Sequence, residues 1–357
     1  LKKEYSQLLG PTLREGSLVY DEIASVDDLP IGMIDEQDAA SYRLMKSELP
    51  TLFGYVVGQH SWKRFLHPPE EQLWQAQRNG KDFELLPPRK KSQPCALVGV
   101  RSCELAALQI HDKVLEQGPY RDPNYRQRRE SAFVLAVNCT RPGGTCFCGS
   151  MGTGPKATQG FDLALTEVCR EQEHYFLVEI GSAKGATILQ GLPVKAATSA
   201  QIEVARKLLE SASRNMGREL STDNLKSILY DQFDSLHWEE IAKRCLSCAN
   251  CTMVCPTCFC SNVEDSTDLT GTQVSRLRHW DSCYSVDFSY IHGGSIRNSV
   301  AARYRQWLTH KLAYWVDQFG TFGCVGCGRC ITWCPAAIDI TEEAKAFRAA
   351  ANNSEVV

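Results

Sequence analysis

The sequence predicts an α+β protein, an N-terminal α/β domain with a cysteine site followed by a mainly helical second domain. Three observations predict it. Short apolar runs at Leu52–Val57, Ala96–Val100, Ala132–Val137 and Tyr175–Ile180 have strand character, and Glu104–Leu115 follows one of them with helical periodicity. From about 200 to 243 the pattern turns helical, with Ile202, Ala205, Leu208 and Leu209 on one face and Leu225, Ile228 and Leu229 on another. The third observation is cysteine: 17 in all, eleven of them between 245 and 334.

Taken along the chain, residues 1–50 are mixed, and Pro87-Pro88-Arg89-Lys90-Lys91 makes a polar break within the α/β part. The expected division is 1–200 for the α/β domain, 201–236 for a helical linker, 237–345 for the cysteine-rich domain and 346–357 for a C-terminal tail. A long helix rich in Arg, Tyr and Trp is expected at about Arg297–Val316. The hydrophobic fraction of 43% and charged fraction of 23% are those of an ordinary globular chain. A formal net charge of −3 argues against a bulk nucleic-acid binder. No apolar run reaches the roughly 20 residues of a membrane-spanning helix, and no export signal is visible at the start. Clustered cysteines in that setting are read as metal ligands in a reducing, cytoplasmic compartment rather than as a disulfide scaffold.

The chemistry lies in two runs. Cys245, Cys248, Cys251, Cys255 and Pro256 form one; Cys324, Cys327, Cys330, Cys334 and Pro335 form the other. Both obey C-x2-C-x2-C-x3-C-P, the spacing of two-cluster bacterial ferredoxins, and they are the only internal repeat. Three thiolates on one tight loop cap three corners of a [4Fe–4S] cubane, while the fourth, turned away with the help of the proline, ligates the other cluster. One cluster is therefore expected on Cys245, Cys248, Cys251 and Cys334, and a second on Cys324, Cys327, Cys330 and Cys255. The exchange holds the runs together across the 68 residues between them. Zinc sites pair C-x2-C with a distant second pair, so zinc fits this pattern poorly. Gly326 and Gly328 are expected to let the backbone wrap closely and aim N–H groups at sulfur. Arg244 and Arg329 either offset cluster charge or are solvated surface arginines.

Cys103, Cys139, Cys146 and Cys148 lie elsewhere, after the candidate strands Ala96–Val100 and Ala132–Val137 and on a glycine-rich loop. Two strand ends plus that loop can converge four thiolates at the rim of a sheet. The spacing matches no general rule, and buried free cysteines are the alternative. Gly149, Gly152 and Gly154 lack the G-K-[ST] of a phosphate-binding loop.

Long strings then point to a family. SWKRFLHPP at 61–69, VGVRSCELAAL at 98–108, NCTRPGGTCFCGSMGTGP at 138–155, CPTCFC at 255–260, FSYIHGGSIRNS at 288–299, YRQWLTHKL at 304–312 and GCVGCGRCITWCP at 323–335 carry the resemblance. The sequence resembles the iron–sulfur beta subunit of cytoplasmic NAD(P)-linked [NiFe] hydrogenases of the sulfhydrogenase type and, more distantly, the A subunit of anaerobic sulfite reductase. The resemblance implies a non-catalytic electron-transfer subunit carrying three [4Fe–4S] clusters, the third on Cys103, Cys139, Cys146 and Cys148. It implies partners as well: a flavin-containing NAD(P)H-oxidising subunit and the small subunit of the hydrogenase. Where relatives often read Arg-Pro-Cys-Asp, this chain reads Arg101-Ser102-Cys103-Glu104, with the cysteine kept. The alternatives are the electron-input subunit of a sulfite reductase, a self-contained reductase using the N-terminal cysteine site, and a zinc-stabilised interaction module.

Other residues carry plainer expectations. Cys258, Cys260 and Cys283 are either packed thiols near a cluster, a redox pair, or replacements for an assigned ligand. Cys95 and Cys169 are structural. His60, His67, His279, His292 and His310 are unnecessary as ligands beside complete cysteine sets. Arg303, Tyr304, Arg305, Trp307, Lys311 and Trp315 mark a helix that braces the two clusters or docks a partner subunit.

Overall fold

The computed structural model describes residues 1–56, 58–86, 93–170 and 173–354. Three hairpins come first: β1 (Gln7–Arg14) with β2 (Ser17–Glu22), β3 (Met33–Asp38) with β4 (Ser41–Lys46), and β5 (Glu70–Asn79) with β6 (Asp82–Leu86). Then follow β7 (Cys95–Val100), β8 (Phe133–Val137), β9 (Leu163–Arg170) and β10 (Glu173–Ile180), and, within the insertion between the cysteine runs, β11 (Ser261–Thr267) and β12 (Gln273–Trp280). The main sheet has the order β10-β9-β8-β7-β1-β2, parallel from β9 through β1 and closed by an antiparallel strand at each edge. All six residues of β7 are buried, as expected of a central parallel strand covered on both faces.

The helix Ser102–Leu115 leaves the end of β7 and buries Leu105, Ala107, Leu108 and Ile110. A second helix, Pro123–Ser131, begins where Asp122 accepts from the N–H groups of Asn124 and Tyr125, with proline at its first position. Thr198 and Gln201 form a reciprocal cap at the start of Ser199–Arg214, which packs Ala205 and Leu209 beside β9 and β10. Ile202, read onto that same buried face, stays half exposed at its edge.

Leu52–Val57 is not a strand over its described part. The N–H groups of Leu52 and Phe53 donate to the Glu167 carboxylate at 2.6 and 2.9 Å, and the Val56 N–H donates to Asp35 at 2.6 Å. The carbonyls of Phe53 and Tyr55 each accept from Arg101 at 2.7 Å. Buried charged side chains satisfy this backbone where a neighbouring strand otherwise would. The polar break at 87–91 lies outside the described residues.

A four-stranded antiparallel sheet, β11-β12-β5-β6, pairs the insertion with residues 70–86. The C-terminal part is helical around one core. Leu229, Trp238, Ile241, Tyr304, Trp307, Leu308 and Phe347 are all buried in it. The helix expected at Arg297–Val316 starts at the Ser299 cap and runs Val300–Thr309. It widens into a π turn at His310–Tyr314 and finishes as Trp315–Phe319 against left-handed Gly320. The last helix, Ile340–Ser354, continues through residues read from sequence as a tail. Among the described residues no helix is long and apolar enough to cross a membrane.

Candidate metal centres

The two runs fold alike. In the first, Ser247 and Ala249 have φ of 52° and 63°; at the matching positions of the second, Gly326 and Gly328 have φ of 64° and 74°. In each, the N–H two residues after the first cysteine points at that cysteine's sulfur: Ser247 to Cys245 and Gly326 to Cys324, both at 3.4 Å. Aiming N–H at sulfur therefore needs the left-handed turn, not glycine itself. Glycine answers a second demand in the second run. A Cβ on Gly326 would lie 2.6 Å from the Phe147 carbonyl carbon, and one on Gly328 would lie 2.3 Å from the Thr145 carbonyl oxygen. The second run is laid directly on the loop that carries Cys146 and Cys148. Phe147 N–H donates to Gly326 O at 2.8 Å, and Thr153 Oγ1 donates to Val325 O at 2.6 Å.

Two thiol-lined chambers result. The first is ringed by Cys245, Cys248, Cys251 and Cys334, with Cys330 on its wall. The second is ringed by Cys255, Cys324, Cys327 and Cys330. Each chamber thus joins three cysteines of one run to the fourth of the other. Cys248 is the one exposed thiol of the 17; every other cysteine is at least partly covered. Burial pushes Cys251 and Cys330 well above the ordinary thiol range, and Cys324 up to about 12. Thiols held neutral in this way ionise when a metal replaces the proton.

The donor set fits [4Fe–4S] groups by a further observation. Tyr304 Oη and Trp307 Nε1, both on the wall of the first chamber, are buried without a hydrogen-bond partner, and Tyr284 beside them directs its hydroxyl at Cys251. Two orphaned donors, and a third aimed at a ring thiol, are what sulfide and thiolate acceptors would satisfy. Among the described residues no three His, Cys, Asp or Glu side chains are placed to hold a metal ion. The thiols surround a chamber instead of meeting at a point.

Cys148 is the common electrostatic neighbour of Cys103, Cys139 and Cys146. Cys103 is raised first by burial and then by the charge of Cys148; Cys146 is raised by burial and then by Cys148 and Cys139. Burial and then the Cys139 charge push Cys148 up to about 12. A Cβ on Gly154 would stand 2.8 Å from Cys148 Sγ, so the glycine-rich loop is wrapped against these thiols. Cys103 is the second residue of the helix Ser102–Leu115, where unpaired N–H groups and the dipole favour a thiolate. Cys146 Sγ lies 3.8 Å from the Cys327 carbonyl, which brings this group beside the second chamber.

Of the two arginines singled out by sequence, Arg329 is fully buried between Cys327 and Cys103 and ion-paired to buried Glu104. Arg244 is half exposed and held by Glu343 at 2.5 Å. Sequence reasoning gave Lys311 no role at the sulfurs. It is 5% exposed, and its Nζ donates to Cys255 Sγ at 3.2 Å and Thr257 Oγ1 at 3.1 Å. Its signal was present: Trp307, Lys311 and Trp315 recur every fourth residue, which sets the lysine on the apolar face. Cys258 lies against Cys255, and its hydrogen bond, with the Lys311 ammonium, holds the Cys255 thiol well below its usual range. Cys260 accepts from the Cys283 backbone N–H nearby. Cys95, pushed up to about 11 by burial, sits in β7 away from both chambers. His67 and His111 are buried in the core, and burial depresses both to about 3.

The fold and these chambers define an iron–sulfur electron-transfer protein with a two-cluster ferredoxin-type region. A model for the 4Fe-4S dicluster domain matches residues 244–338. Sulfhydrogenase 2 subunit beta of Pyrococcus furiosus is 30% identical over 341 residues, covering 94% of this chain and 91% of that protein. The chain belongs to the family of sulfhydrogenase beta subunits. No solved structure matches it.

Proposed function

We propose that this chain is a three-cluster electron conduit. It would carry electrons between a flavin-containing NAD(P)H-oxidising subunit and the small subunit of a soluble [NiFe] hydrogenase. Bound [4Fe–4S] groups supply one-electron steps that no side chain here supplies. In this reading Cys245, Cys248, Cys251 and Cys334 hold the first cluster. Cys324, Cys327, Cys330 and Cys255 hold the second, and Cys103, Cys139, Cys146 and Cys148 the third. The supporting observation is the pair of chambers in which each run receives its fourth thiol from the other. The α/β part would carry the third centre and the cysteine-rich part the other two. Phe147–Gly326 packing keeps the third and second centres in register. Exposed Cys248 makes the first centre the end nearest solvent.

The test is iron and acid-labile sulfide on the anaerobically purified chain. Three cubanes require about twelve of each per chain. Cys146→Ser should lower both to about eight and remove one reduced-state EPR signal, leaving the ferredoxin pair. Loss of the pair instead refutes the partition. Zinc without sulfide refutes the conduit.

A further inference from the structure

Lys311 is buried without a carboxylate. Its two polar contacts are Cys255 Sγ and Thr257 Oγ1; the charges of Cys255, Cys258 and Cys324 favour its ammonium most, and the buried Lys63 ammonium opposes it. Buried Lys63 lies in the field of the same sulfurs, Cys258 and Cys255, but touches neither: it donates to the Cys258 carbonyl at 3.0 Å and lies over the Trp280 ring at 3.7 Å. Buried Arg329 differs again, because Glu104 compensates it. A buried ammonium needs an anion, and among the described residues Lys311 contacts a sulfur and no carboxylate. The backbone is shaped for this contact. Lys311 falls in the π turn His310–Tyr314, and its carbonyl is fixed by the Gly323 N–H at 2.8 Å, next to Cys324. A single π turn inside an α-helix commonly marks a functional position. Thr257 completes the arrangement, approaching Cys255 Sγ at 3.1 Å and donating to Gly323 O at 2.8 Å.

We propose that Lys311 sets the reduction potential of the second cluster, acting through Cys255 as that cluster's buried counter-charge. The inference rests on the assignment of Cys255 to that cluster. Each reduction adds one electron to a thiolate-ligated group that is already anionic. A fixed ammonium on a ligand sulfur favours the more negative, reduced state, and low exposure keeps solvent from screening it. Lys311 is thus a positioning residue for charge. It makes the second cluster easier to reduce than the same cluster would be without the ammonium.

The experiment is an EPR-monitored potentiometric titration of the cluster-loaded chain, wild type against Lys311→Met and Lys311→Arg. Lys311→Met is expected to weaken reduction of the second cluster at least tenfold, about 59 mV for one electron, while the other two signals move less than threefold. Lys311→Arg should stay near wild type. An unmoved potential in a fully loaded Lys311→Met overturns the proposal, and so does Lys311→Arg falling as far as Lys311→Met, since that marks packing and not charge. If Lys311→Met does not load, wild-type protein labelled with ¹⁵N-lysine is examined by pulsed EPR. A nitrogen coupling to the reduced second cluster supports the contact, and its absence overturns it. Cys255→Ser tests the underlying assignment separately: unchanged iron content and signals would remove Cys255 from the ligand set whatever Lys311 does.

Discussion

Gly326→Ala tests whether the N-terminal cysteine loop and the second run are one packed unit. Two costs follow from the geometry. At φ of +64° an L side chain is strained, by about 1–2 kcal/mol. The new Cβ would also lie 2.6 Å from the Phe147 carbonyl carbon and 2.7 Å from the Cys148 nitrogen. Neither neighbour is a flexible side chain, and the Phe147–Gly326 hydrogen bond of 2.8 Å resists separation. The overlap adds about 1–3 kcal/mol, as overpacking does in cores. Gly271 is the matched control, with φ of +66° and nothing within 4 Å of its added Cβ. It bears the first cost without the second. At about 2 °C per kcal/mol for a chain of this size, Gly271→Ala should lower the melting midpoint by about 2–4 °C and Gly326→Ala by about 4–10 °C. Anaerobic thermal scans at one heating rate, read by circular dichroism and by visible cluster absorbance, give both numbers. Equal shifts for the two variants would refute the close approach of the second run to Phe147.

Three further outcomes follow. Glu104→Gln leaves Arg329 as an unpaired buried charge and should cost about 3–5 kcal/mol, read as a lower urea midpoint; adding Arg329→Met should recover most of it, and no recovery would dissociate the pair. His67 and His111, rings 6.0 Å apart, are both depressed to about 3, so each is neutral when folded and protonates once unfolded. Their stabilisation is complete above the unfolded value of about 6.5 and falls with pH below it, by about 2 kcal/mol for each at pH 5. Replacing His67 with Phe should flatten that fall in acid-unfolding curves; an unchanged slope would rule the histidine out. Trp238→Ala removes a side chain 2% exposed that packs on Phe347 at 4.1 Å between ring centroids, and should cost about 3–5 kcal/mol, checked by urea unfolding.

What the sequence made legible divides along physical lines. Ala96–Val100 and Ala132–Val137 read as strands because they are buried in continuous apolar runs, and the structure has strands there. Leu52–Val57 carries the same apolar signal, but its backbone partners are Glu167, Asp35 and Arg101, distant in sequence and invisible to a local pattern. β11 and β12 escaped for the opposite reason. Ser261–Thr267 is a polar edge strand with little apolar alternation, and its sheet depends on pairing β12 with β5, some 200 residues earlier. At the candidate centres, spacing alone singled out the eight cysteines of the two runs, since three thiols on a loop are a local geometric fact, whereas Cys103, Cys139, Cys146 and Cys148 follow no spacing rule and are grouped by resemblance. The counter-charges were not local. Arg329 reads equally as a cluster counter-charge or a solvated arginine until Glu104 is found beside it, and Lys311 reads as one residue of a bracing or docking helix until the fold buries it against Cys255.

The same distinction explains how an insertion of 68 residues can separate two runs that must act at fixed distance. The insertion is anchored at both ends. β12 is held by β5 of the N-terminal part, and Gly323, just before Cys324, is held by Lys311 of the inserted helix. Phe147 fixes the following residues from the other side. Electron hopping tolerates little drift between centres, and independently tethered domains move by default. Here the loop bearing Cys146 and Cys148, the second run and the π turn bearing Lys311 share backbone hydrogen bonds, so the spacing of these three segments is set by the fold itself. The first chamber joins that unit through Cys330 and Cys334 of the second run, while Cys248 on its rim is the exposed thiol.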